Sequence, residues 1–419
     1  MSYQPTLEYA RERDAVDPLR GFRERFARPA NIYLCGHSLG LQPLATRQAI
    51  EQELEDWARL GVRGHEHARR PWIHYHEQLS AGLELLTGAR PGEVVAMSSL
   101  TVNLHLMLSS FFRPEGRRTK ILIEAGAFPS DRDAAVSHLE WHGLSERTAL
   151  IELAPAAGKD LVPEERIEEY LAQHGEEIAL VLWPGVQFRT GQSFDCARIV
   201  RAAQHAGCVT GLDLAHSIGN TPLALHDSNA DFAVWCSYKY LNAGPGAIGG
   251  CFVHERHAGT NPRGRLAGWW GREIATRFDM QPGFRATAGA AGWQVSNPPI
   301  LSTAPLIASL ALFQDAGVER LREKSVALTG FLEFLTERLD SDVRIVTPRA
   351  PDSRGAQLSL RIAGGGERGK RVFDWLDAHG IVCDWRGPDI LRVAPVPLYN
   401  RFEDVLLFSE GLARALREA

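Results

Sequence analysis

Between residues 119 and 253 the chain repeats one pattern, a short apolar run followed by a stretch of helical spacing. KILIE (120–124), TALIELA (148–154), IALVLW (178–183), CVTGLDL (208–214), FAVWC (232–236) and AIGGCFV (247–253) read as strands. Helices fall between them, near 131–142, at PEERIEEYLAQHG (163–175) and at FDCARIVRAAQHAG (194–207). In the second, proline and acids open the helix, Ile167, Tyr170 and Leu171 share a face, and glycine closes it. In the third, Ile199, Ala203 and Ala206 share a face. Strands alternating with helices predict an α/β fold with a mostly parallel sheet between helices.

After about residue 300 the rhythm changes. One long amphipathic helix is expected over roughly 304–339, then strands at 343–347, 357–362, 381–385 and 389–394, with a helix at 371–380 and another at the C-terminus. That describes a smaller α+β domain. A length of 419 residues suits this division: a large domain over 46–303, and a small one built from 304–419 with 1–45 packed against it. The glycines of AGGGERG (363–369) read as a flexible connection.

Composition narrows the partners. A net charge of −5 with both signs mixed gives no nucleic-acid footprint. The polar N-terminus has no signal-peptide core, and no apolar run spans a bilayer. Six scattered cysteines without a C-x-x-C read as small core residues in a reducing compartment, so a cytoplasmic protein is expected.

Four features carry chemistry. Ser98, Ser99 and Thr101 precede an apolar helix, where free N–H groups form an anion site or an ordinary cap. Asp213 ends an apolar strand, where open α/β sheets bind ligands, although a cap or local ion pair also fits. Lys239, between Tyr238 and Tyr240, stands where a strand meets a glycine-rich loop; a surface lysine is the plain alternative. Arg392, between Leu391 and Val393, either points outward or holds a carboxylate bidentately. The H-x-H pairs of GHEHARRPWIHYHEQL (64–79) look like metal ligands, but His74 and His76 are two apart on a helical pattern and point to different sides. No metal is expected there. His65 and His67 can line a pocket.

Together, a phosphate cradle, an acid at a strand end and a lysine 26 residues later match the needs of pyridoxal phosphate: an anion site, a carboxylate for the ring nitrogen, and an amine for the aldehyde. Longer motifs sharpen this. The chain carries IYLCGHSLGLQP (32–43), GHEHARRPW (64–72), LTVNLHLMLSSFF (100–112), AFPSD (127–131), DLAHSIGN (213–220), CSYKYLNAGPGAIGG (236–250), GWWG (268–271), SNPPI (296–300) and RVAPVPLYN (392–400). With these it resembles the kynureninase family, of the aspartate-aminotransferase-like superfamily, fold type I.

The resemblance implies a pyridoxal-phosphate enzyme that cleaves L-kynurenine or its 3-hydroxy form, with water, to an anthranilate and L-alanine. It implies roles as well. Leu100 and Thr101 would hold the phosphate with Tyr238. Phe128 would stack on the ring, with Pro129 and Ser130 beside it. Asp131 and Asp213 would sit near the ring nitrogen, Asp213 as its direct partner, with His216 close by. Lys239 would carry the cofactor, and Tyr238 would relay protons. Trp269 and Asn297 would reach the site at least partly from a neighbouring subunit, which implies a homodimer. Arg392 would take the substrate carboxylate, while His65 and Asn297 would meet the aryl end. An asparagine there suggests that a 3-hydroxyl is accepted. Two positions depart from the pattern: Pro184 stands where a hydroxyl residue is common, and His37 where asparagine is. A cysteine desulfurase is the rival within the fold. It needs a reactive cysteine on a mobile loop, and only Cys35, before Gly36, comes near that description.

Overall fold

The structure is a computed structural model that describes residues 3–29, 31–259, 264–279, 282–339 and 342–418. Its strands are β1 (Ile32–Tyr33), β2 (Val94–Ala96), β3 (Lys120–Glu124), β4 (Leu150–Leu153), β5 (Ile178–Pro184), β6 (Val209–Asp213), β7 (Phe232–Trp235), β8 (Gly250–Val253), β9 (Val343–Ile345), β10 (Leu358–Ile362), β11 (Ile381–Val382), β12 (Asp384–Arg386) and β13 (Ile390–Val393).

Seven of these form one sheet in the order β2-β8-β7-β6-β5-β3-β4. The pairs from β7 through β4 are parallel, as the alternation predicts. At the other edge β8 runs antiparallel to both β7 and β2. The three residues of β2 are too few to show a period in the sequence. The order also contains a reversal. From β3 the chain steps outward to β4, then returns to the far side of β3 to form β5. The loops leaving β3 and β5 therefore diverge and open a crevice at the carboxyl ends of the strands, where such sheets bind ligands.

A second, antiparallel sheet follows the order β12-β13-β10-β9. The N-terminal stretch joins this region. β1 pairs in parallel with β11, and Asp14 accepts from the backbone N–H groups of Phe402 and Glu403, capping the C-terminal helix Phe402–Glu418. Two expectations need correction here. The single helix over 304–339 is two helices, Ile300–Ala316 and Val318–Glu337, meeting at 81°. Gly317 lies between them at φ 78°, a backbone state open mainly to glycine. The glycines at 363–369 are not a loose connection either. Gly364 turns at φ 90° and the helix Gly365–Ala378 begins at once. Glycine is needed there because a Cβ on Gly366 would stand 2.1 Å from the Pro388 carbonyl oxygen, and one on Gly369 2.7 Å from the Trp385 ring.

The Lys324 ammonium, on the helix Val318–Glu337, is buried against Asp17 at 2.7 Å. Removing one partner of a buried pair strands the other charge. Asp17→Ala should therefore destabilise the fold by about 3 kcal/mol, read as a fall in the urea midpoint. A change under about 0.5 kcal/mol, the scale of an exposed pair, would show that the pair is not isolated from water.

Candidate active site

The crevice at the reversal is lined by the end of β3 and its loop (Glu124, Ala127, Phe128, Ser130, Asp131), the end of β5 (Pro184, Val186, Phe188), the end of β6 (Asp213, Ala215, His216), Tyr238 and Lys239 after β7, and Leu100 and Thr101. Sequence-predicted residues from five separate segments thus converge.

The anion end is built from backbone. The helix Leu100–Phe111 starts after Ser98, a non-glycine residue at φ 44°, and its first internal bond runs from Asn103 N–H to Ser99 O. The N–H groups of Leu100, Thr101 and Val102 precede that bond and are free of the helix. Gly249 lets this turn close up, since a Cβ there would stand 3.0 Å from Leu100 N.

The opposite end is acidic. Asp213 Oδ1 accepts from Ala215 N–H at 2.8 Å. Asp131, in the first turn of the helix Pro129–Trp141, is buried beside it and leaves Oδ1 without a partner. Burial first, and then the neighbouring Asp213 charge, push the Asp131 carboxyl well above the carboxylate range. Asp131 is accordingly the member of the pair that holds a proton. His216 is held well below its usual value, by burial and then by the Lys239 charge, and its Nδ1 has no partner.

Lys239 Nζ lies 5.6 Å from the Phe128 ring centroid and 6.0 Å from that of Tyr238. Its loop is clamped, with Gly40 N–H donating to Tyr238 O at 2.8 Å. A Cβ on Gly40 would come 2.4 Å from the Lys239 carbonyl oxygen. Phe128 meets Phe188 edge-on at 5.2 Å and stays 38% exposed, which leaves a face for a stacked ring. Free N–H groups at one end, a buried acid pair at the other, and an amine over an open aromatic face fit pyridoxal phosphate.

Arg392 stands behind this wall, 1% exposed. Its Nε and Nη2 both donate to Asp384 Oδ2 at 2.6 Å, and Nη1 donates to Phe188 O at 2.7 Å. Two N–H bonds remain, on the end of the guanidinium. His65, Trp269 and Asn297 lie outside the crevice on exposed surface. Pro129 is the first residue of its helix beside the cleft, after Phe128 at the cap position, and Pro184 lines the cleft itself. The H-x-H pair separates: His74 Nδ1 meets Glu77 at 2.7 Å, while His76 is buried and held down at about 4 by burial.

Sequence reasoning missed Phe188, Glu124, Gln187 and Asp384. Asp384 alone left a trace, two residues from Arg386 in a strand that pairs with Arg392's strand.

The fold is that of type I pyridoxal-phosphate enzymes. It matches a C-DES mutant with glycine covalently linked to its PLP cofactor (TM-score 0.80, 19% identity, 93% of this chain and 98% of that one). It also matches the apo cysteine desulfurase of Thermococcus onnurineus NA1 (TM-score 0.77, 18% identity, both chains fully covered). Within that class the sequence is decisive. The chain is 55% identical over 403 residues to the kynureninase of Xanthomonas euvesicatoria pv. vesicatoria, covering 95% of each. It is 53% identical over 423 residues to that of Myxococcus xanthus, covering 99% of each. Residues 321–412 match the kynureninase C-terminal domain. The chain belongs to the kynureninase family, and pyridoxal phosphate is its cofactor.

Cys35, the thiol nearest to what the desulfurase rival needs, sits in a bridge to Ala394 and not on an exposed loop. Cys35 is buried, and burial pushes it up to about 12. The other five cysteines are raised too, by burial in each case.

Glu124 supplies a test of this electrostatic picture. Burial pushes its carboxyl up to about 8, and Oε2 has no partner. As pH rises from about 4.5 to 8, the unfolded chain loses this proton and the folded one keeps it, so stability falls. Glu124→Gln, which mimics the neutral acid, removes that slope. The Tm of the variant minus that of the parent should be near zero at pH 5 and reach several degrees at pH 8. A difference that does not change with pH would mean that Glu124 is ionised in the fold.

Proposed function

We propose that the protein is a kynureninase: it cleaves the side chain of L-kynurenine, or of 3-hydroxy-L-kynurenine, with water to yield an anthranilate and L-alanine. The observation that carries the reading is the placement of Lys239 over the open Phe128 face, with the Asp131–Asp213 pair at the end of the same crevice. When bound, pyridoxal phosphate supplies an aldehyde for the substrate amine and a ring that absorbs electrons from the α-carbon.

The chain's own residues do the rest. The N–H groups of Leu100 and Thr101 bind the phosphate at a helix start, with help from the Tyr238 hydroxyl. Phe128 orients the ring by stacking, and Pro129 and Ser130 complete that wall. Asp213 would pair with the ring nitrogen, and Asp131 would hold Asp213 in place by a hydrogen bond from its protonated carboxyl. Lys239 Nζ would hold the cofactor aldehyde and would serve as the base for the α-proton. Tyr238 and His216 flank the position where that proton moves. Arg392 receives the substrate carboxylate on its two remaining N–H bonds. A cofactor-bearing domain over 46–303 and a small domain of 1–45 with 304–419 place these two groups on opposite sides of the substrate.

We assign the aryl end to His65 and Asn297, with Trp269 and Asn297 reaching the cofactor site at least partly from a second copy, in a cytoplasmic homodimer. The exposed apolar side chains of Leu266, Trp269, Ile274, Phe278, Phe284 and Leu301, all in the same stretch as Asn297, support a subunit contact there. Light scattering should give twice the chain mass.

Borohydride reduction of the yellow holoenzyme followed by peptide mapping should label Lys239, and a label elsewhere would sink the assignment. Asp213→Asn should lower kcat about 10²–10³-fold, the scale of a lost electrostatic contact. Asp131→Asn should cost far less, because the acid it replaces is already neutral. Equal losses would overturn the division between the two carboxylates. At the aryl end, Asn297→Thr should lower the ratio of kcat/KM for 3-hydroxykynurenine over kynurenine, since a polar group that pairs a hydroxyl is lost. An unchanged ratio removes Asn297 from that role.

A further inference from the structure

His37 is wholly buried, and neither of its ring nitrogens has a hydrogen-bond partner. Leaving a buried polar group unpaired is costly, so such groups call for an explanation. The imidazole has little freedom to find a partner elsewhere. Its backbone is pinned upstream, where Leu34 N–H donates to Val382 O and Ala394 N–H to Leu34 O, both at 2.9 Å. It is pinned downstream by the Gly40 bond to Tyr238 O. Gly36 admits no adjustment, because a Cβ there would stand 2.1 Å from the Tyr399 hydroxyl.

Its surroundings say what kind of partner it awaits. The ring lies 6.4 Å from that of His216, which lines the cofactor crevice. A ring nitrogen falls within 4.8 Å of Cys35 Sγ and an Asp384 oxygen. That trio could suggest a metal, but Asp384 Oδ2 is already shared between Arg392 and Arg386, whose guanidinium groups oppose a further cation. Burial foremost, and then the charges of Arg392 and Lys239, keep His37 neutral, with one N–H to donate. On the reading above, an α-amino acid puts its carboxylate on Arg392 and its amine at the cofactor aldehyde that Lys239 would hold. The Asp384 carboxylate beside His37 accepts from Arg392, and His216, 6.4 Å from the His37 ring, lines the crevice with Lys239.

We propose that His37 binds the substrate's α-carboxylate jointly with Arg392, its imidazole N–H donating to an oxygen held on the free end of the guanidinium. The inference rests on the carboxylate role given to Arg392 above. A carboxylate offers about four acceptor positions and the guanidinium end fills two, so a third donor is accommodated.

The test uses the holoenzyme. His37→Leu should raise KM for L-kynurenine about tenfold with kcat within about threefold, and raise the Kd of L-alanine, read from the cofactor absorbance, by the same factor. Its Tm should rise by a few degrees, because an unpaired buried polar group has gone. His37→Asn keeps an N–H and should return KM close to the parent value. Unchanged KM and L-alanine Kd in His37→Leu would overturn the proposal. A lowered Tm together with weakened binding would overturn it too, since that marks a packing role. Failure of the parent protein to cleave L-kynurenine would count against the proposed function instead, and the L-alanine titration would still report on His37.

Discussion

Two carboxyl groups side by side in a dry crevice cannot both be ionised, and most of the site's design follows from that. The strand order brings Asp131 and Asp213 together, since the first follows β3 and the second ends β6, with only β5 between those strands. Burial and the neighbouring Asp213 raise Asp131. A backbone N–H from Ala215 fixes Asp213 beside that protonated acid. Two free charges there would repel each other. His216 and His37, both held neutral, keep competing positive charge out of the same space.

The crevice is also tied mechanically to the small sheet. The turn over 187–192 leaves β5 and carries Phe188 against Phe128. Gln187 locks this turn, its Oε1 accepting from the N–H groups of Arg189 and Thr190. The small sheet then grips the turn from outside. Gln357 and Arg392 donate to Phe188 O, Ser359 donates to Arg189 O, and Thr347 donates to Thr190 O. Arg189, Asp389, Arg361, Asp160 and Arg344 form a continuous chain of ion pairs at the same joint. A network of this kind is worth more than isolated surface pairs. Motion of the small sheet therefore carries Phe188 and Arg392 together.

The parts legible in the sequence are those with a local signature. β3, β5 and β6 are apolar runs of five to seven residues, and their ends fall within a residue or two of the runs. Asp213 ends β6 and Lys239 follows β7 by four residues, and it is their combination with the anion site, not either position alone, that points to the chemistry. Other parts had no such signature. The break at Gly317 lies inside a segment whose apolar spacing continues on both sides, and one glycine in a helical pattern reads as a tolerated weakness. The helix from Gly365 opens on residues that ordinarily mark loops; its cause is a close approach to Pro388 from another segment. Arg392 looked undecided on its strand because its partners, Asp384 and the Phe188 carbonyl, lie 8 and 204 residues away. His65, Trp269 and Asn297 do not reach the crevice within one chain, so only a resemblance could connect them to it.

Some buried polar atoms without partners line the crevice: Glu124 Oε2, Asp131 Oδ1 and His216 Nδ1. Each such atom costs a folded chain about 1–3 kcal/mol, so a protein selected for stability alone would replace them with apolar groups. At the crevice these atoms form a fixed set of donors and acceptors at a cost in stability. A polar guest that pairs with them gains without reorganising the wall, which is the condition for electrostatic catalysis to be efficient. The apolar core beneath, with Trp183, Trp235 and Phe232 fully buried on β5 and β7, supplies the rigidity that keeps those atoms from collapsing onto one another.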